Sequence, residues 1–126
     1  MGVEQTATFA AGAVLPWPAL MERMAGRGIP MQLRMIDGLP AFPDEEPPAE
    51  WRELRAGTAA GMVTLRRTPA GASVVVWGNA DPAVVTAAHA LLWAVADVTG
   101  GRVETPAGCL SAAEFARSVG LPEVAD

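Results

Sequence analysis

The sequence contains no lysine and no tyrosine, and it has one histidine, His89, and one cysteine, Cys109. Without lysine, the Walker A phosphate loop, a Schiff-base lysine and a lysine general base are all excluded. A single cysteine excludes an internal disulfide. All nine basic residues are arginine, and together with the abundant alanine this indicates a GC-rich coding bias.

Positive charge is also scarce. The formal net charge is −5 and the pI is about 4.8, which disfavours a nucleic-acid partner. The amino terminus has no positive signal-peptide region, since Glu4 is its first charge. The most apolar run, residues 82–96, is shorter than the ~20 residues that span a bilayer. We therefore expect a cytoplasmic protein that does not bind membranes.

The stretch from residue 73 to 103 organises the chain. Ser73 to Trp77 is rich in β-branched residues, which predicts a central strand. Asp81 is a good helix N-cap and Pro82 fits the first helical position. Apolar residues at helical spacing then predict a long helix over about 82–99. Gly100-Gly101 ends it, because glycine accepts the left-handed cap conformation.

The remaining segments alternate between strand patterns and turns. Pro16 opens a short helix, and Ser111 with Glu114 forms a capping box that starts another. Asp37-Gly38 and the Pro-Ala-Gly of residues 69–71 predict hairpins. We expect a single α+β domain over residues 1–126, with an antiparallel sheet of about 4–6 strands and the three helices on one face. Residues 1–5 should form a disordered tail, and 37–50 an acidic proline-rich loop.

This order of strand, short helix, strand meander and long helix resembles helix-grip and TATA-binding-like sheets. The order and the acidity also resemble small acidic dimeric chaperones of secreted effectors and bacterial immunity proteins. The resemblance implies an open sheet and a protein partner. No diagnostic motif accompanies it, so it assigns no functional residue.

Chemistry-bearing residues are few. His89 lies mid-helix, one turn from Trp93, where it either packs on that ring or acts as a general base without an identifiable nucleophile. Cys109 follows a glycine in a turn and has no activating positive group beside it. No metal-ligand spacing occurs around either residue. We therefore predict no catalytic residue, no metal and no cofactor.

Two arginines are candidates for binding an anion. Arg34 and Arg66 lie on the polar sides of their strands and should face outward, forming a positive stripe with Arg52 or Arg55. Arginine forks match carboxylate and phosphate. The alternative is a solvated face whose arginines pair with nearby glutamates, Glu50 and Glu53.

A second candidate surface lies on the long helix. His89, Trp93 and Asp97 share a face opposite the apolar stripe. An exposed Trp93 would be a good anchor for a protein partner. The alternative is that the carboxy-terminal helix covers it.

The sequence thus favours a non-catalytic protein-binding or assembly domain, a small adaptor, chaperone or immunity-type protein that binds a protein partner or itself as a homodimer. The alternative is a small anionic-ligand-binding or enzymatic domain with a pocket between sheet and helices, for which Arg34, Arg66 and His89 are the available polar groups. A third hypothesis makes the loop at Asp44–Ala49 the docking segment of a subunit in a larger assembly.

Overall fold

The computed structural model describes residues 2–10, 15–77 and 81–121. These residues contain eight strands and three helices. The helices are α1 (Trp17–Gly26), α2 (Pro82–Thr99) and α3 (Ala112–Ser118). The strands are β1 (Gly2–Thr8), β2 (Gln32–Ile36), β3 (Leu39–Pro40), β4 (Glu53–Thr58), β5 (Gly61–Thr68), β6 (Gly71–Trp77), β7 (Arg102–Thr105) and β8 (Gly108–Ser111).

The strands form one antiparallel sheet in the order β3-β2-β4-β5-β6-β1-β7-β8. The α+β class is confirmed, whereas the expected number of strands, 4–6, is wrong. In place of the tail expected over residues 1–5, the first strand inserts between β6 and β7, pairing Thr8 with Gly71 and Ala7 with Val103; residue 1 lies outside the described residues. Local pattern indicated only a possible edge strand at residues 6–9 and did not reveal the central position of β1, because both its partners are distant in sequence.

Three of the hairpins share the loop pattern Thr-X-Ala-Gly. Residues 58–61, 68–71 and 105–108 read Thr-Ala-Ala-Gly, Thr-Pro-Ala-Gly and Thr-Pro-Ala-Gly. In each, the threonine hydroxyl accepts a backbone N–H of the loop, and in the first and third it also donates to the glycine carbonyl. The hydroxyl thus closes a two-residue connection between paired strands. The third of these loops connects β7 to β8, a strand that was not expected from the sequence.

The hairpin between β2 and β3 uses a different turn. Its two loop residues, Asp37 and Gly38, have φ of 50° and 83°, the positive values that a type I′ turn requires. The Asp37 carboxylate accepts the backbone N–H groups of Arg52 and Glu53, each at 2.8 Å. The turn is therefore fixed to the chain entering β4. The expected acidic loop over residues 37–50 thus contains a short strand, β3.

Helix α2 lies at the centre of the core. As predicted, Asp81 caps it by accepting the Ala83 N–H, and Gly100 ends it at φ 67°. It contacts β5, β6, β1 and β7, and both other helices pack on it. Its residues from 87 to 96, apart from His89, are consequently buried. The sheet face against α2, here called the inner face, carries Leu54, Leu65 and Val74.

The same helix has the length and hydropathy of a membrane span, with 18 residues and a mean hydropathy of 1.4. Half of it is buried inside the domain. A core helix that is covered on several sides needs this apolar composition in the absence of any bilayer. Its hydropathy is thus explained by its place in the fold.

Glycine is required where β1 meets its neighbours. A Cβ at Gly71 would overlap the carbonyl oxygen of Ala7, and one at Gly101 would overlap that of Thr8. Both obstacles are backbone atoms of the same strand, which cannot move without breaking the ladder. These two glycines let β1 lie close to β6 and to the start of β7.

Candidate functional site

The predicted protein-binding face of α2 is only partly exposed. Trp93 is only 5% exposed, because α1 packs across α2 and the Arg27 guanidinium lies 3.9 Å from the centre of the indole ring. Asp97 is exposed and accepts a 2.7 Å ion pair from Arg23 of α1. Trp93 is therefore not an exposed anchor, and Arg27, which follows α1, supplies part of its cover.

His89 packs against the carboxy-terminal helix. Its ring meets Phe115 edge to face, with centroids 5.7 Å apart and planes at 86°. The ring is half-buried, and this burial lowers the pKa of His89 because the protonated form is poorly solvated there. The aromatic partner is thus Phe115 in place of the expected Trp93. A binding role for His89, Trp93 and Asp97 remains a prediction.

The predicted anion-binding arginines have different surroundings. Arg66 lies on the outer face of the sheet, away from α2, and donates to Glu53 on one side and to Glu4 on the other, both at 3.0 Å. These bonds raise the pKa of Arg66. Glu53 also accepts Arg55 at 3.3 Å. The face therefore carries an alternating charge network in which Arg66 is paired, with Glu4 in place of the expected Glu50.

Arg34 does not join this network. It lies at the irregularity between Leu33 and Met35, where the register of β2 against β4 shifts. Its side chain is exposed and has no ion pair with a described residue, while its carbonyl accepts the Ala41 N–H at 2.9 Å. An anion-binding role for Arg34 and Arg66 stays a prediction. The structure does not bring the two guanidinium groups into one described cavity.

Among the described residues, two surface cavities have volumes of about 550 Å³ each. Neither is lined by Arg34, Arg66 or His89, the groups expected to line a pocket between sheet and helices. One lies between α1 and α2 and includes Trp93 and Asp97 in its wall. The other, here called the tryptophan cavity, lies at the end of the sheet and is lined by Phe9, Ala10, Leu15, Pro16, Trp17, residues 46–49, Trp51 and residues 67–71.

Arg67 and Glu46 are the charged residues in the lining of the tryptophan cavity. The Arg67 guanidinium lies 4.4 Å from the centre of the Trp51 ring. Trp17 is 5% exposed, and its indole Nε1–H has no acceptor among the described residues. A buried donor without a partner costs about 1–3 kcal/mol. Sequence reasoning missed this site because Trp17 and Trp51 belong to separate segments that only the fold brings together; the prolines beside each were the available signal.

A second feature that was missed is an apolar patch at the β3 edge of the sheet, formed by Leu39 and Phe42 and here called the edge patch. Their side chains are 69% and 74% exposed. The Phe42 N–H donates to the Glu45 carboxylate, and the Glu45 N–H donates to the Phe42 carbonyl at 3.0 Å. This reciprocal pair fixes the backbone that presents the phenylalanine ring.

The described residues contain no group of three or more histidine, cysteine, aspartate or glutamate side chains that could hold a metal ion. Cys109 is exposed on the edge strand β8. No family model, curated protein or solved structure matches the chain. The geometry of its own surfaces therefore carries the functional argument.

Proposed function

We propose that this chain is a non-catalytic protein-binding or assembly domain that contacts its partner through the edge patch. The observation that carries the proposal is the exposure of Leu39 and Phe42 at 69% and 74% on a hydrogen-bonded backbone. Exposed large apolar side chains on an ordered scaffold are typical of interaction sites. A rigid aromatic side chain also loses little conformational entropy on binding.

The charge around the patch favours one kind of partner. Asp44, Glu45 and Glu46 follow Phe42 and Pro43 in the chain, and all three are exposed. A partner that offers an apolar cleft with an arginine- or lysine-rich rim would complement this arrangement. A symmetric contact between two copies of the patch would bring two acidic segments together, which disfavours a homodimer at this surface. Self-association through another surface remains a separate prediction.

Strand addition is a less suitable docking mode here. β3 is an edge strand of two residues, Leu39–Pro40. Pro40 has no N–H to donate, and Pro43 follows closely, so a partner strand would find few backbone bonds. The side chains of the edge patch, more than its backbone, would therefore provide the affinity.

Photo-crosslinking tests the proposal. Benzoylphenylalanine at position 42 should form a specific crosslink in the source cells, and the same probe at position 62 provides the control, since Met62 is apolar and 47% exposed on another hairpin. The captured protein is then purified. Phe42→Ser should weaken its binding more than about tenfold, while Met62→Ser leaves the affinity unchanged.

The affinity should also fall as salt is added, because the rim contacts are charged. Identical crosslinks from positions 42 and 62, or equal affinity of the two serine variants, would contradict the proposal. Light scattering over a concentration series separately tests self-association. If the wild type is a dimer and Phe42→Ser abolishes it, the edge patch binds a second copy of the chain and not a basic partner.

A further inference from the structure

We propose that the tryptophan cavity binds a small organic carboxylate with a flat apolar body. This site goes beyond the proposed protein-binding function, and it involves neither Leu39 nor Phe42. Its volume of about 550 Å³ lies within the usual range for small-molecule sites.

The walls determine the body of the ligand. Phe9, Trp17 and Trp51 contribute aromatic rings, and Pro47 and Pro48 contribute rigid apolar rings. Trp17 and Trp51 are both buried, so their rings are held by packing before any ligand arrives. The lining left open to a ligand is mainly that of Phe9, Pro47 and Pro48, whose flat apolar rings favour a ligand with a planar ring system.

The donors determine its polar end. Arg67 stacks on Trp51, which orients its guanidinium, and it forms no ion pair or side-chain hydrogen bond with a described residue. The Arg67 guanidinium lines the cavity and can only donate, so a ligand must supply acceptors. A carboxylate matches the fork of Arg67.

One charge opposes this ligand. Glu46 also lines the cavity, and it is exposed. Its carboxylate repels an anion, partly screened by solvent. Removing the charge with Glu46→Gln should therefore strengthen binding of a carboxylate, whereas it should not affect a neutral ligand of the same shape. This opposite response of Glu46 and Arg67 variants distinguishes charge recognition from simple apolar packing.

The experiment uses the full chain labelled with ¹⁵N at its four tryptophan indoles. The probe is 2-naphthoate, and its neutral counterpart is 2-naphthamide. Trp17→Phe and Trp51→Phe assign two of the signals. Naphthoate should move the Trp17 and Trp51 signals and leave that of Trp93 unchanged, because Trp93 is buried under Arg27 at another site. The neutral amide should bind about tenfold more weakly, as expected for the loss of one charged hydrogen bond.

Three variants complete the test. Arg67→Gln should weaken naphthoate about tenfold, Glu46→Gln should strengthen it, and Arg55→Gln, which removes an arginine from the outer face, should leave it unchanged. Absence of any shift at Trp17 and Trp51 with millimolar naphthoate would overturn the proposal, as would equal affinity for the amide. Binding of a proline-rich peptide without naphthoate binding would also overturn it, making the cavity a peptide groove. Phe42→Ser should bind naphthoate normally, so this result is independent of the edge patch.

Discussion

Arg66 donates to Glu4 across an intervening strand. Arg66 belongs to β5 and Glu4 to β1, and β6 lies between them in the sheet. Through its second bond, to Glu53 of β4, the arginine links four consecutive strands on the outer face. Ser73 of β6, paired with Arg66, is fully buried although it lies on this face. The arginine side chain thus covers the middle of the sheet.

Replacing Arg66 tests the charge and the cover separately. Arg66→Met keeps much of the apolar stem and should lower the free energy of unfolding by no more than about 1 kcal/mol, because the ion pairs are half-exposed. Arg66→Ala should cost more, since it also uncovers Ser73 and Val75. Urea unfolding in low and high salt measures both. The loss in the methionine variant should shrink at 1 M salt, as expected for screened pairs; equal losses at both salt concentrations would argue against an ionic contribution.

Asp37 stabilises the turn before β3 in two ways. Its carboxylate accepts two backbone N–H groups, which lower the pKa of Asp37, and its φ is positive. Asp37→Asn keeps the tolerance for this conformation and loses the charge, whereas Asp37→Ala loses both the acceptor and the tolerance. Thermal unfolding should therefore rank wild type above Asn and Asn above Ala.

The sign of the pH effect at Asp37 follows from its lowered pKa. Its contribution to stability is present above the unfolded pKa and is lost as the pH falls through the folded one. At a pH below both values, the ranking of wild type over Asp37→Asn should disappear. Unfolding midpoints measured down the acid range test this, and a constant difference between the two proteins would contradict it.

His89 should make the protein less stable in mild acid. Burial lowers its folded pKa below the ordinary value of 6.5. The unfolded chain then binds the proton more readily, so the stabilisation is complete above pH 6.5 and decreases as the pH falls towards the folded pKa. His89→Gln should remove this slope, leaving a flatter curve of unfolding free energy between pH 7.5 and 5. If the slope were unchanged in His89→Gln, the pH dependence of the unfolding free energy would come from groups other than His89.

Gly71→Ala should destabilise the fold, because the added Cβ would overlap the carbonyl oxygen of Ala7. Overpacking of this kind costs about 1–3 kcal/mol. Ala70→Gly, one residue earlier in the exposed loop, provides a control for loop composition. Chemical denaturation measures both proteins. If Gly71→Ala were as stable as the wild type, the added Cβ would have room, and β1 and β6 could not lie as close together as they do in the structure.

The hydroxyl of Thr105 should stabilise the hairpin of β7 and β8. It donates to the Gly108 carbonyl at 2.7 Å and accepts the Ala107 N–H. Thr105→Val keeps the shape and removes both bonds, so the free energy of unfolding should fall by about 0.5–1.5 kcal/mol. Thr64→Val on β5 serves as a control for valine on a strand. Equal stabilities of the two variants would contradict the role of the hydroxyl.

Local signals predicted α2 and the capping box at Ser111 correctly, because caps and helical spacing act within a few residues. The identical Thr-Pro-Ala-Gly loops show where local reading stopped short. The Pro-Ala-Gly at residues 69–71 predicted a hairpin, whereas the same three residues at 106–108 were not interpreted as one, although β7 and β8 pair there. The repetition of the loop sequence was therefore the available signal for β8.

The candidate sites depended on long-range packing, which pattern does not encode. Helical spacing predicted an exposed Trp93 on the side of α2 away from the apolar stripe, but both other helices pack on α2 and Trp93 is buried. Trp17 and Trp51 share a cavity only because the chain between them forms β2 and β3 and returns. Exposed Phe42 was overlooked because an apolar residue between prolines gives no periodic signal.

The central position of β1 also constrains how the chain assembles during synthesis. The strands β2 to β6 lie together on one side of β1, and β7 with β8 lies on the other. β1 leaves the ribosome well before its partners β6 and β7, and closing these long loops is slow in entropy-limited folding. A nascent chain that has reached β6 can complete only one side of the sheet, and β1 keeps an unpaired edge until β7 emerges.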